Sequence, residues 1–146
     1  MKNTFLDYKI IVVPEISQMQ NALVGENSKH ILLAYNDDYS EDIETFLGKI
    51  MASVQVNMLS DCLILRGGSD IALPPFSQLA IAHIIKTVVI FGIKPQDLGL
   101  NVEPLLYEPF MLNGYTFVFA NPLSKINTPE TKKALWECLK KIFNNG

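Results

Sequence analysis

TVVIFG at 87–92, then FMLNGYTFVFAN at 110–121, then PLSKINTPETKKALWECLKKIF at 122–143, is the run of sequence on which the fold turns. Residues 87–91 are continuously β-branched or aromatic, as expected of a central strand covered on both faces. Asn113-Gly114 accepts the positive φ angles of a type I′ turn, so the apolar segments on either side should pair as a hairpin. On the second arm Tyr115, Phe117 and Phe119 share one face, and Thr116, Val118 and Ala120 share the other. That aromatic face is expected to pack rather than to hold a ligand. Asn127 or Thr128 then caps a last helix, with Pro129 at an early helical position. Leu135, Cys138, Leu139 and Ile142 form its buried stripe. Trp136 and Phe143, seven apart, make a second apolar edge: either plain burial at the domain margin or an aromatic ridge facing a partner.

Upstream, YKIIVV at 8–13 reads as a short strand or apolar arm stopped by Pro14. A helical turn is expected around Ile16–Leu23, ending at Gly25. HILLAY at 30–35 reads as a buried strand leading into the polar loop NDDYS. Ser40 caps a helix over about 40–54, with Glu41, Asp42 and Glu44 at the positive end of its dipole. Ile43, Phe46, Leu47, Ile50, Met51 and Val54 make its core stripe. DCLILRG at 61–67 is a second strand, with Gly67, Gly68 and Asp70 supplying the exit turn. Pro74 and Pro75 can open a helix that places Phe76, Leu79, Ala80, His83 and Ile84 on one face. The order predicts an α/β fold: a three-layer αβα sandwich with a mostly parallel central sheet, a late β-hairpin and a C-terminal helix. One domain is expected, with residues 1–27 as an N-terminal arm and 28–146 as the αβα core.

Composition narrows the function classes. A chain of 146 residues, 49% hydrophobic and 18% charged, suits one soluble globular core. The start is too polar for a signal peptide and no window is apolar enough for a transmembrane helix, so the cytoplasm is expected and a membrane is not. Cys62 and Cys138 read as buried hydrophobes, since both fall in apolar patterns and form no CxxC pair. His30 and His83 have no ligand-spaced neighbours, so neither a metal nor a cofactor is expected. The net charge is −3 and Arg66 is the only arginine, which argues against strong direct nucleic-acid binding. Lysines do gather near the end, where Lys125, Lys132, Lys133, Lys140 and Lys141 face only Glu130 and Glu137. A solvated helix face explains them, with a weak anion-facing patch as the alternative.

Chemistry is sparse. In parallel α/β sheets ligands sit beyond the carboxyl ends of strands, so Asn36-Asp37-Asp38-Tyr39 is where a site is expected. Paired acids there can activate water or hold a cation, but the same residues also make an ordinary turn into a helix cap. No GxGxxG, P-loop or GxSxG motif occurs, and no Ser or Cys is paired with a histidine in a recognisable motif.

HILLAYNDDYSEDIETFLGKIMASV, VVIFG, and ANPLSKI with TPETKKALWECLKKIF together resemble the psi subunit of bacterial DNA polymerase III. The resemblance spans roughly residues 28–143 and rests on pattern and element order. Its most specific part is the closing signature, here Asn121-Pro122-Leu123-Ser124 and Lys132 to Leu139. The resemblance implies the uracil-DNA glycosylase fold. Active members of that superfamily carry a water-activating Asp or Asn after the first core strand, where this chain has Asn36, Asp37 and Asp38. They also carry a histidine before the last helix; here that loop keeps Pro122, Leu123 and Ser124 but has no histidine. A glycosylase must in addition extract a base from DNA with a wedge and a basic groove, which an acidic chain with one arginine fits poorly.

The resemblance therefore implies a non-catalytic accessory protein of the replication machinery, acting through protein–protein contacts. Asn36, Asp37, Asp38, Asn121, Pro122 and Ser124 would be a degenerate pocket. Trp136, Phe143, Lys133 and Lys140 would be partner contacts, and a clamp loader or other replisome component the partner. The chain departs from psi at its start, where YKIIVVPEI is apolar and no Trp-bearing basic tail occurs. Two rival readings stand beside it: a nucleobase- or nucleotide-directed hydrolase working through Asn36, Asp37 and Asp38, and a small-ligand-binding or dimerisation module, with a homodimer formed through Trp136.

Overall fold

The computed structural model of the chain describes residues 23–66 and 73–143. Among them, a six-stranded mixed sheet and four α-helices make an α/β fold. The strands are β1 (Leu23–Val24), β2 (Ile31–Tyr35), β3 (Cys62–Arg66), β4 (Thr87–Phe91), β5 (Phe110–Leu112) and β6 (Tyr115–Ala120). The helices are α1 (Glu41–Ser53), α2 (Met58–Asp61), α3 (Phe76–Ala82) and α4 (Pro129–Phe143). Two 3₁₀ turns, Pro95–Leu98 and Leu123–Lys125, complete the described elements.

The sheet order is β1-β3-β2-β4-β6-β5. β3, β2, β4 and β6 run parallel, and the two edge strands β1 and β5 run antiparallel to their neighbours. Parallel strands leave no face for solvent, and β2 is accordingly buried along its whole length. Alternation then divides the core. Leu33, Tyr35, Ile64, Val89, Phe91 and Val118 face one way, onto Leu47 and Met51 of α1 and Leu135, Cys138 and Leu139 of α4. Leu32, Ala34, Leu65, Val88, Ile90, Phe117 and Phe119 face the other way, onto Phe76 and Leu79 of α3 and Leu98 of the 3₁₀ turn.

Local signals set the element ends. The Ser40 side chain accepts the Ile43 N–H at 3.1 Å, and Glu41, Asp42 and Glu44 follow in the first turn. Thr128 caps α4, its hydroxyl accepting the Thr131 N–H at 3.2 Å, with Pro129 as the first helical residue. Asn113 and Gly114 take φ values of 53° and 88°, the left-handed pair that the β5–β6 turn requires.

The structure departs from the sequence reading in two described places. Leu23 closes no helical turn; with Val24 it forms β1, paired with Leu65 and Ile64 of β3, so the sheet extends into the stretch read as an arm. Helix α3 ends at Ala82, leaving Ile84 exposed rather than on the buried face. The chain must leave the helix there, because the Lys86 and Thr87 N–H groups donate to the His30 carbonyl as β4 begins. The expected strand at 8–13 and the exit turn at 67–70 lie outside the described residues.

Candidate functional site

Because β3, β2, β4 and β6 are parallel, Arg66, Asn36, Gly92 and Asn121 emerge at the same edge of the sheet. This is the crevice in which α/β folds bind ligands. Here the strand-end loops bind one another. Asp37 Oδ1 accepts the Leu123 N–H at 2.9 Å and its Oδ2 accepts the Ser124 N–H at 3.1 Å. Those amides begin the 3₁₀ turn, where backbone donors lack partners within the turn and an anion is favoured. Each of the two carboxylate oxygens is therefore held by a charge-assisted bond to the opposite loop.

Gly92 closes the space between the loops. Its φ is +74°, and a Cβ built on it would lie 2.8 Å from Asn36 Oδ1, 2.8 Å from Pro122 Cγ and 2.9 Å from Pro122 Cα. The ends of β2, β4 and β6 thus meet in van der Waals contact through Asn36, Gly92 and Pro122. Asn121 is engaged elsewhere, its amide donating to the Tyr107 hydroxyl at 3.1 Å. Among the sequence-predicted pocket residues, Asn36, Asp37, Pro122 and the Ser124 backbone come together. Asn121 points to a different neighbour. Asp38 is exposed on the same loop.

Beside this junction lies a network that the sequence reading missed. Glu44, on the first turn of α1, accepts the Tyr35 hydroxyl at 2.8 Å and takes a two-pronged contact from Arg66, with Nη2 at 2.7 Å. The guanidinium also sits 4.6 Å from the centroid of the Tyr39 ring. Burial tends to raise the Glu44 carboxyl, but the hydrogen bonds from Arg66 and Tyr35 and the charge of Arg66 outweigh it, leaving Glu44 below its ordinary range. Burial, aided by the bond to Glu44, pushes the Tyr35 phenol well above its usual value. Tyr35 and Arg66 are register partners on adjacent strands, and that pairing is the signal that could have located the network. The sole arginine is thereby committed to an internal carboxylate.

The histidines are elsewhere. His30 precedes β2 at the amino edge, and His83 caps α3. Among the described residues no group of three or more His, Cys, Asp or Glu side chains could hold a metal ion. Cys62 and Cys138 are buried, and burial pushes both thiols up to about 12. No helix among the described residues is long and apolar enough to cross a membrane.

The candidate contact residues lie on α4. Trp136 is 39% exposed, and Lys140 Nζ sits 4.7 Å from its ring centroid, a cation–π arrangement one helical turn on. Trp136 forms one wall of an open trough of about 630 Å³, with Leu106 and Tyr107 opposite. Leu105, next in the chain, is 74% exposed. Lys133 is exposed on the same helix. Phe143 takes a different position, half-buried against the core and lining a separate hollow at the amino ends of β2 and β4. The structure does not join Trp136 and Phe143 in one ridge. The wall supplied by residues 105–107 was invisible to helical periodicity, because it comes from a loop.

Comparison with protein-family models and with curated proteins finds no match to this chain.

Proposed function

We propose that this chain is a non-catalytic adaptor acting through protein–protein contacts, an accessory protein of the replication machinery like the polymerase III psi subunit it resembles. The finer fold reading belongs with this proposal: a three-layer αβα sandwich of the uracil-DNA glycosylase kind, with α1 and α4 on one side of the sheet and α3 on the other.

The carrying observation is the Asp37 bridge. A general base needs a carboxylate oxygen free to meet water beside a substrate. Asp37 has both oxygens committed to the Leu123 and Ser124 amides, and Asn36 and Pro122 pack against Gly92 where a substrate would enter. An ancestral pocket closed in this way supports a scaffold role. The surface that supports a partner role is the Trp136 trough, lined in part by Lys140, with Lys133 exposed on the same helix. It suits a partner that inserts an apolar side chain and brings groups of both charges to Lys140, Lys141, Glu108 and Glu137.

The test compares the immobilised chain with its Trp136→Ala variant in extract of the native host. Clamp-loader or other replication proteins should be retained by the wild type and lost from the variant. Retention of none by either would overturn the replication reading. Incubation with uracil-containing single- and double-stranded DNA completes the test: base release would overturn the non-catalytic reading.

A further inference from the structure

Among the described residues, the aromatic face of the sheet is incompletely covered. Helix α3 has seven residues, and beyond its end an open cavity of about 420 Å³ lies between α3, the Gly99–Leu100 segment and the hairpin turn. Its walls are Phe76, Phe117, Leu100 and Leu112. Phe76 meets Tyr115 and Phe117 edge-on, with ring centroids 5.0 and 5.1 Å apart. Phe117 in turn stacks on Phe110 and Phe119, so the wall is backed by packed rings and is preformed. Ser77, Asn113 and Tyr115 supply polar groups, and Ile81, 87% exposed, stands at the margin.

What separates this cavity from the other hollows is charge. The hollow at the amino ends of the strands carries Lys29, His30 and Lys86, and the α4 trough carries Glu108, Glu137, Lys140 and Lys141. Among the described residues, the aromatic cavity is lined by no Asp, Glu, Lys, Arg or His. A charged ligand entering it would shed water without gaining a counter-charge. An uncharged aromatic one would exchange water for ring edges and faces. The volume falls within the range of small-ligand sites, which combine apolar walls with a few polar groups that fix orientation. We infer that this cavity, formed by Phe76, Phe117, Leu100 and Leu112, is a binding site for a small uncharged aromatic molecule carrying a polar atom for Ser77, Asn113 or Tyr115. The inference is independent of the adaptor reading.

Indole is a suitable probe and indole-3-acetate its charged control. Titration of the full chain followed by amide NMR should give saturable shifts for indole at Ala80, Ile81, Leu100 and Leu112. The affinity for indole-3-acetate should be at least about tenfold weaker. Ala80→Phe, which fills the cavity, should abolish the indole shifts. If that variant fails to fold, Ile81→Glu alters only the exposed margin and should weaken indole several-fold while leaving indole-3-acetate no tighter. Absence of saturable shifts, shifts dispersed over the surface, equal affinity for the two probes, or indole binding unchanged in the variants would each overturn the site.

Discussion

Two regions of this molecule have the ingredients of a site and differ in how those ingredients are used. At the carboxyl edge of the sheet, Asp37, Glu44 and Arg66 are polar, clustered and correctly placed for chemistry, but their described partners are other protein groups. Asp37 holds the 123–124 amides, and Glu44 holds Arg66 and Tyr35. At the α4 trough, Trp136, Leu106 and the adjoining Leu105 remain exposed beside Glu108, Glu137, Lys140 and Lys141. Position in the fold selects the first region as a ligand crevice. On the proposed reading, the distribution of satisfied groups favours the second as the contact surface. A polar cluster whose members hold one another contributes to the architecture; an apolar cluster left in water is available to a partner.

The sharpest way to break this contrast is to force the crevice open. Gly92→Ala should be the most damaging change, because the added Cβ meets Pro122 Cα at 2.9 Å and the backbone there has φ +74°. A loss of about 2–5 kcal/mol is expected, combining left-handed strain with displacement of backbone. Urea unfolding would measure it, and a loss near zero would mean that the loops are not in contact. Next in size is Asp37→Ala, which removes two charge-assisted bonds and leaves two amides without a carboxylate. It should cost about 1.5–3 kcal/mol by the same measurement. Faster hydrogen exchange at Leu123 and Ser124 should accompany it. A catalytic Asp37 would give the opposite pattern, with stability unchanged or improved and an activity lost.

How much of the contrast could be read in advance depends on the range of the interactions. Helix α1, the β5–β6 hairpin and α4 were legible because Ser40, Asn113-Gly114, Thr128 and Pro129 act within a few residues of themselves. β4 was legible because five successive β-branched or aromatic residues leave few alternatives. The placement of Asn36 to Tyr39 at a strand end followed from element order. Their engagement did not, since Asp37 and Leu123 are 86 residues apart and an acidic turn looks the same with or without a distant partner. The Glu44–Arg66 pair hid for a related reason: Glu44 already had a sufficient local explanation in the helix dipole. β1 was missed because two residues carry no periodicity and owe their strand conformation to pairing with Leu65 and Ile64.

Acid should probe the Glu44 network separately. Glu44 ionises more readily in the folded chain than in the unfolded one, so its contribution is fully present above the ordinary glutamate value of about 4.3. It is lost as pH falls through the lower folded value. Stability measured from about pH 7 down to about pH 3 should therefore drop more steeply for the wild type than for Glu44→Gln. Parallel curves would show that Arg66 does not hold this carboxylate in solution.

The smallest stability effect belongs to Trp136→Ala, and its smallness is the point. The indole is partly exposed and the Lys140 contact lies in solvent, so truncation should change unfolding free energy by no more than about 0.5–1 kcal/mol. Partner retention should nevertheless fall by at least about tenfold, since a single aromatic anchor can contribute about 2 kcal/mol or more to an interface. Lys140→Ala should follow in the same direction with a smaller loss, and that loss should shrink at high salt as the lysine's charge is screened. A Trp136 variant that unfolds easily would instead place the ring in the core and remove the distinction between the two regions. A variant that is stable and still binds would move the contact surface away from α4 and leave the trough without a role.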